Sequence, residues 1–273
     1  MPSAGMPILR RKPQRTGEEL RFTPRLGTWD RVWCQQPSDA RDDELLSRER
    51  LHPRWSWITN LLRAQLGDLR GLKTIELGSG RGDWSALLAQ VGAEVTLLDS
   101  NHLALGQAER RFRRIGLSAR YVRGDLFELS EELSGRFDVA LSSGVIEHFQ
   151  GRERSESIRA HLAAVRPGGI VVISVPHAWS PSYRMWKGYL ELRGWWPYGY
   201  EQPYTVRELR QRARSSGLSQ PQFHCFGFWQ SVGDHLGKGL IGRGAEWSQV
   251  RSRLDAWGGS MLVMVAQRPT NVN

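Results

Sequence analysis

Cysteine is scarce in this chain of 273 residues, which contains only Cys34 and Cys225. The two lie far apart and have no cysteine or histidine nearby at the spacing of a zinc motif. The cysteines therefore predict neither a disulfide framework nor a structural zinc site. A cysteine outside such motifs is usually a small buried hydrophobe, and we expect that role for both residues.

Long apolar runs are also missing. No stretch approaches the roughly 20 apolar residues that span a bilayer, and the longest, residues 169–175, has the length of a buried strand. Residues 1–15 carry charges but lack the apolar segment and small-residue cleavage site of a secretory signal. We therefore expect a soluble, cytoplasmic protein with no transmembrane segment.

Lysine is rare although the net charge is +10. Lys12, Lys73, Lys187 and Lys238 are the only lysines, so almost all of the 38 basic residues are arginines. They are spread along the chain, which favours a solvated surface over a dense nucleic-acid-binding stripe. Residues 1–25 are the exception, because their proline, arginine and glycine content predicts a flexible basic tail able to contact an anionic partner.

From residue 73 onward, short apolar runs alternate with amphipathic helices, as in a parallel sheet with helical crossovers. The predicted strands are 73–77, 95–98, 121–122, 137–141, 170–175, 223–228 and 261–265. A helix through Val165 is expected to stop at Pro167 and the two following glycines. The sequence thus predicts an α/β fold with a doubly wound, mostly parallel seven-stranded sheet.

Three further segments complete the predicted organisation. Helical spacing of apolar residues predicts N-terminal helices over residues 26–70, ahead of a main domain over residues 71–273. Residues 177–203 form a helical insertion after the fifth strand that is rich in tyrosine and tryptophan. This insertion is either a lid over an apolar or aromatic substrate, a shallow membrane contact or an extra helix packed on the sheet.

A glycine-rich turn carries the clearest functional signal. Glu76 precedes Gly78-Ser79-Gly80 and Gly82, where the first strand ends and a helix begins. Glycines allow close approach of the backbone to a ligand, and the helix start offers free amides. Such a turn is typical of nucleotide-like ligands, although a purely structural turn has the same pattern.

Asp99 ends the second strand and is followed by Ser100. In doubly wound folds an acidic residue about 20 positions after the glycine turn accepts hydrogen bonds from ribose hydroxyls. The alternative role of Asp99 is that of a helix cap. Together with the glycine turn, Asp99 favours a nucleoside site.

The segment from Thr74 to Asp83 resembles the first motif of class I S-adenosylmethionine-dependent methyltransferases, with an acidic residue two positions before a GxGxG turn. The resemblance covers residues 53–176 and is nearest to the small-molecule branch that includes quinone-biosynthesis enzymes. It implies a Rossmann-like methyltransferase fold with S-adenosyl-L-methionine as cofactor. The residues that it implies for cofactor binding are Glu76, Gly78, Ser79, Gly80, Gly82, Asp99, Ser100, Asp125, Leu126 and Ser142.

Two histidines follow predicted strand ends on the ligand side, His148 and His177. Either is a candidate base that takes a proton from a hydroxyl near neutral pH, and the alternative for each is a hydrogen-bonded surface residue. Glu147 is a candidate metal ligand or a polar residue at a helix start.

The resemblance and the insertion together predict transfer of a methyl group to a small or lipid-like metabolite, with oxygen as the expected acceptor atom. The acceptor is expected to be apolar or aromatic. Two alternatives stay open: an RNA methyltransferase, which the basic tail favours, and a non-catalytic cofactor-binding module. Nothing in the sequence indicates the oligomeric state.

Overall fold

The computed structural model describes residues 27–235, 247 and 249–270. These residues form a seven-stranded sheet with the order β3-β2-β1-β4-β5-β7-β6, in which β1 to β5 run parallel and β7 runs antiparallel to both of its neighbours. The strands are β1 (Lys73–Leu77), β2 (Glu94–Asp99), β3 (Arg120–Arg123), β4 (Phe137–Ser143), β5 (Val165–Pro176), β6 (Ser219–Phe226) and β7 (Met261–Gln267). The predicted doubly wound fold is confirmed, and the predicted tail over residues 1–25 lies outside the described residues.

Helices cover both faces of this sheet. They are α1 (Thr28–Trp33), α2 (Asp39–Leu51), α3 (Pro53–Leu66), α4 (Asp83–Gln90), α5 (His102–Arg114), α6 (Glu153–Ala164), α7 (Pro181–Leu192), α8 (Val206–Ser215), α9 (Phe228–His235) and α10 (Asp255–Gly258). The insertion contributes α7. In the described part of the chain no helix is both long and apolar enough to cross a membrane.

Two strands, β5 and β6, begin more than two residues before the predicted position. Val165 belongs to β5, where it pairs with Phe137, because the Pro-Gly-Gly turn forms an irregularity inside the β4–β5 pairing and does not precede it. Strand β6 covers Ser219–Phe226, earlier than the predicted 223–228, because Gly227 adopts a φ of +80° and ends the strand before α9.

The expected burial holds for one cysteine only. Cys225 is buried in β6, whereas Cys34 is exposed just after α1, so the prediction for Cys34 is wrong. Helix α1 has no fully buried residue, and it lies ahead of the first strand of the sheet in the chain. Cys34 therefore lacks an apolar layer that would cover it.

The N-terminal helices pack on the same face of the sheet as α4 and α5. Trp55, Ile58 and Leu62 of α3 join one apolar cluster with Trp84 and Leu87 of α4. Burying side chains of this size contributes roughly 1.5–3 kcal/mol each. Helices α2 and α3 are thus part of the folded core that supports the carboxyl end of β1.

A buried ion pair fastens α2 to α5. The side chain of Arg111 is only 1% exposed, and its Nε donates to Asp42 at 2.8 Å. A second nitrogen of the same guanidinium donates to Asp83 at the start of α4. Because both carboxylates compensate one buried cation, this contact ties three helices together.

We predict that Asp42→Ala lowers the free energy of unfolding by about 3 kcal/mol, because it leaves the buried Arg111 without one of its two carboxylates. The matched control is Asp43→Ala, which removes an exposed carboxylate paired with Arg114 and should cost less than about 1 kcal/mol. Urea unfolding of the three chains measures the difference. Equal losses in both variants would contradict a role for burial.

Candidate functional site

The glycine-rich turn is anchored to the end of β2. Strands β1 and β2 pair in parallel with Leu77 opposite Leu98. Beyond this pair, the amides of Gly78 and Ser79 both donate to the carbonyl of Leu98, at 2.8 and 3.0 Å. The turn therefore sits directly beside Asp99, the last residue of β2.

Two glycines of the turn are required by their surroundings. Gly80 has a φ of +53°, and a Cβ atom there would lie 2.8 Å from the Trp33 ring. Gly82 has a φ of +69°, and its Cβ atom would lie 2.4 Å from Leu97 in the core. Glycine relieves both the backbone strain and the collision. Gly80 thus keeps room beneath α1, while Gly82 allows α4 to start close to β2.

The Asp99 carboxylate joins the turn to the next helix. One oxygen accepts from the Gly80 amide at 2.8 Å, and the other accepts from the Asn101 amide at 2.8 Å. Burial raises the pKa of Asp99, and these two amide hydrogen bonds oppose the rise. The arrangement holds a carboxylate beside the glycine-rich turn at the carboxyl ends of β1 and β2.

Glu76 lies one layer below the turn. Its carboxyl accepts from the Ser85 amide at 3.0 Å and from the Ser85 hydroxyl at 2.6 Å. Burial raises the pKa of Glu76 to about 8, against the effect of the Ser85 hydrogen bonds. A carboxyl in this state is close to ionisation and suits a cationic group brought by a ligand.

A cavity of about 310 Å³ opens above these residues. Cavities that bind small molecules are of about this size or larger. Of the residues predicted from the sequence, the following line it: Glu76, Gly78, Ser79, Gly80, Asp99, Ser100, Asp125, Leu126 and His148. The structure thus brings nine of the predicted site residues around one cavity.

Three predicted residues lie elsewhere. Gly82 faces the core beside Leu97. Ser142 is fully buried and donates to Nε2 of His161 at 2.9 Å, whereas the next residue, Ser143, lines the cavity. Successive strand residues point to opposite faces, so a shift of one position separates the two serines.

His177 is the third. It is 2% exposed and follows β5, and its Nδ1 donates to the carbonyl of Gly259 at 3.1 Å. Its surroundings are the residues just before the start of β7 and the bridge to Tyr204. The structure therefore places His177 in a packed joint outside the cavity wall.

His148 lies in the cavity wall, at the end of the short 3₁₀ helix Ile146–His148. Its Nδ1 lies 2.7 Å from the carbonyl of Tyr200, and since a carbonyl only accepts, Nδ1 carries the proton. Burial lowers the pKa of His148. The ring is thus neutral at pH 7 and has an accepting Nε2.

Several cavity residues escaped the sequence analysis. Trp29 and Trp33 of α1 cover the cavity, and Glu49, Arg54 and Arg81 add charge beside the glycine turn. The segment His52-Pro53 predicts the start of a helix, but nothing in the local sequence indicates that Arg54 lies beside the turn. Phe127 and Phe149 complete the wall with an edge-to-face pair whose ring centres are 4.8 Å apart.

These features define a class, namely a Rossmann-like fold with a cavity at the carboxyl ends of β1, β2 and β4. Comparison with known families identifies the family within this class. A family model described as a methyltransferase domain matches residues 48–220. The chain belongs to this methyltransferase domain family.

Relatives of known name are similar over part of their length. The ubiquinone biosynthesis O-methyltransferase of Methylobacterium nodulans is 32% identical over 155 residues, which are 55% of this chain and 61% of the relative. That of Bordetella avium is 29% identical over 169 residues, which are 60% of this chain and 68% of the relative. The chain thus matches about three fifths to two thirds of the length of these relatives.

Solved structures share the fold at lower identity. Magnesium protoporphyrin IX methyltransferase from Synechocystis, crystallised with S-adenosylhomocysteine, has a TM-score of 0.55 at 17% identity, covering 88% of this chain and 92% of that one. A Haemonchus contortus phosphoethanolamine-type N-methyltransferase has a TM-score of 0.56 at 17% identity, covering 79% and 53%. These likenesses support the fold.

The buried Glu76 predicts a pH-dependent stability. Its pKa is about 8 in the folded chain against an ordinary 4.5, so between these values unfolding releases a proton and stability falls as pH rises. Glu76→Gln removes this effect. The wild-type free energy of unfolding should fall relative to the variant by up to about 1.4 kcal/mol per pH unit. Urea unfolding at pH 5 to 8 measures it, with exposed Glu94→Gln as control, and parallel curves for wild type and Glu76→Gln would refute it.

Proposed function

We propose that this chain is an S-adenosylmethionine-dependent methyltransferase that methylates a hydroxyl oxygen of a small or lipid-like metabolite. The observation that carries the proposal is a single cavity lined by the glycine turn, the Asp99 carboxylate and the neutral His148. The turn and Asp99 suit a nucleoside, and His148 suits a proton acceptor at the other end.

The described residues fit the cofactor. Asp99 and Ser100 would accept from and donate to its ribose hydroxyls, and Asp125 with Leu126 would border its base. Glu76 would face the ammonium of the methionine end, and Arg54, which also lines the cavity, would face the carboxylate. Because Gly80 has no side chain, the Trp33 ring can pack against the turn, and both residues line the cavity.

The bound cofactor supplies an electrophilic methyl group on a sulfonium. The protein then has to align an oxygen with that methyl and exclude water. His148 takes the proton of the acceptor hydroxyl at Nε2 because Tyr200 holds the Nδ1 proton. Trp29, Phe127 and Phe149 provide apolar walls that orient an aromatic or lipid-like acceptor. The RNA alternative depends on residues 1–25, which lie outside the described residues.

We predict that Asp99→Ala weakens binding of S-adenosylhomocysteine about 100-fold. The substitution removes the carboxylate that we expect to accept two charge-assisted hydrogen bonds from the ribose hydroxyls. Calorimetric titration measures the dissociation constant, and a thermal melt without ligand verifies the fold. Asp68→Ala, which changes an exposed aspartate after α3, should bind as the wild type does. Unchanged affinity in Asp99→Ala would place the nucleoside elsewhere.

We predict that His148→Gln lowers kcat for labelled methyl transfer to a panel of phenols and catechols about 100-fold or more. Its affinity for S-adenosylhomocysteine should remain within about twofold, since the base acts on the acceptor. In the wild type, kcat/KM should fall only at pH below 6.5, the ordinary histidine value, because burial lowers the pKa of His148.

The matched comparison is His177→Gln, which changes the other candidate base. It should retain most of the activity because His177 lies outside the cavity. An inactive His177→Gln chain that still melts as the wild type, beside an active His148→Gln chain, would overturn the assignment.

A further inference from the structure

One carboxyl near the cavity, that of Glu147, has an oxygen without a hydrogen-bond partner. Glu147 is 2% exposed, and within the described residues its Oε2 atom meets no donor. Leaving a buried acceptor unpaired costs about 1–3 kcal/mol. Native structures keep few such groups, and those near a cavity point to a ligand that completes them.

Glu147 stands directly behind the cavity wall. It immediately precedes His148, and its Oε1 atom lies 3.6 Å from the position of a Cβ atom on Gly144. Gly144 and His148 both line the cavity. Since Gly144 has no side chain, no side chain at this position separates the carboxyl from the cavity.

A second carboxyl, that of Glu201, reaches the same place through the insertion. The Gln202 amide donates to the carbonyl of Glu147 at 2.9 Å, and His148 donates to the carbonyl of Tyr200 at 2.7 Å. Glu201 lies between these two bonds and accepts from the Tyr183 hydroxyl. Burial raises the pKa of Glu147, and the charge of Glu201 adds to the rise.

The nearby cations of the protein are already paired with other groups. Arg154 donates to Glu208 at 3.0 Å and stacks on Tyr204, and Lys187 pairs with Glu191. In the described part of the chain neither Glu147 nor Glu201 forms a salt bridge. Arg154 and Lys187 lower the pKa values of Glu147 and Glu201 through space only, so in the described residues neither acid has a cation in salt-bridge contact.

Aromatic rings contact residues that adjoin these two acids. Trp29 contacts the His148 ring at 4.9 Å, and Tyr198 packs between Trp29 and Trp196. The Lys187 ammonium lies 4.8 Å from the centre of the Trp196 ring. Carboxylates combined with ring faces are the surroundings that bind organic ammonium groups.

From this arrangement we propose that the methyl acceptor carries a protonated amine, which Glu147 and Glu201 receive, in addition to the hydroxyl that faces His148. The inference rests on the proposed function, because it assigns the substrate class of the same cavity. An ammonium nitrogen has no lone pair and cannot attack a methyl group. Holding the amine in its charged form thus leaves the hydroxyl oxygen as the nucleophile.

Three phenols of similar shape test the proposal: tyramine carries an ammonium, para-ethylphenol carries no charge and phloretate carries a carboxylate. Each is titrated by calorimetry at pH 7 into the chain saturated with S-adenosylhomocysteine. Tyramine should bind about tenfold more tightly than para-ethylphenol, because it adds a charge-assisted hydrogen bond, and phloretate should bind most weakly.

The variants Glu147→Gln and Glu201→Gln locate the effect. Each should bring the affinity for tyramine close to that for para-ethylphenol and leave para-ethylphenol itself unchanged. The control variant Glu131→Gln makes the same change of charge at an exposed position away from the cavity. It should retain the wild-type preference for tyramine over para-ethylphenol.

Equal affinity of the wild type for tyramine and para-ethylphenol would overturn the proposal. So would an absence of tyramine binding while S-adenosylhomocysteine is bound, or an equal loss for both phenols in the glutamate variants. A wild-type chain that binds no S-adenosylhomocysteine would instead contradict the proposed function itself.

Discussion

The cavity depends on how the Asp99 carboxylate is shared between two backbone segments. Its oxygens accept from the Gly80 amide and the Asn101 amide. These two hydrogen bonds fix the distance between the turn after β1 and the start of α5. A carboxylate offers about four acceptor positions, so two remain for ligand hydroxyls. The same side chain can thus stabilise the turn and still offer acceptor positions to a ligand.

Residues outside the sheet complete this site. Trp33 covers Gly80, Asp30 accepts from the side chain of Asn101 at 2.7 Å, and Gln107 donates to the carbonyl of Trp33. These bonds hold α1 across the ligand side of β1 and β2. The N-terminal helices are therefore both part of the core, through α3, and part of the cavity wall, through α1.

The acceptor end is built by a different segment. The 3₁₀ helix after β4 carries Glu147 and His148, and the insertion after β5 binds it through residues 200–202. The bond from His148 to the Tyr200 carbonyl sets the histidine tautomer. The bond from the Gln202 amide to the Glu147 carbonyl holds the segment that carries Glu201 near Glu147. The orientation of His148 and the position of Glu201 are consequently set by one loop contact, separate from the site around Asp99.

Local patterns in the sequence were enough to predict the sheet, the glycine turn and Asp99, because strand alternation and turn chemistry act over a few residues. Predictions failed where a shift of one residue along a strand changes the face that a side chain points to, as with Ser142 and Ser143. They also failed where segments distant in the sequence meet. Nothing near Trp33 or Arg54 shows that these side chains reach the turn after β1. His177 follows a strand end as His148 does, but the antiparallel β7 encloses it, and that strand direction has no local signature.

A crystal structure of the chain with S-adenosylhomocysteine tests the central claim most directly. The account predicts ribose hydroxyls at about 2.5–3.0 Å from the Asp99 carboxylate, with the amino-acid end against Gly78 and Gly80. A nucleoside bound at another place, or one whose ribose points away from Asp99, would contradict it.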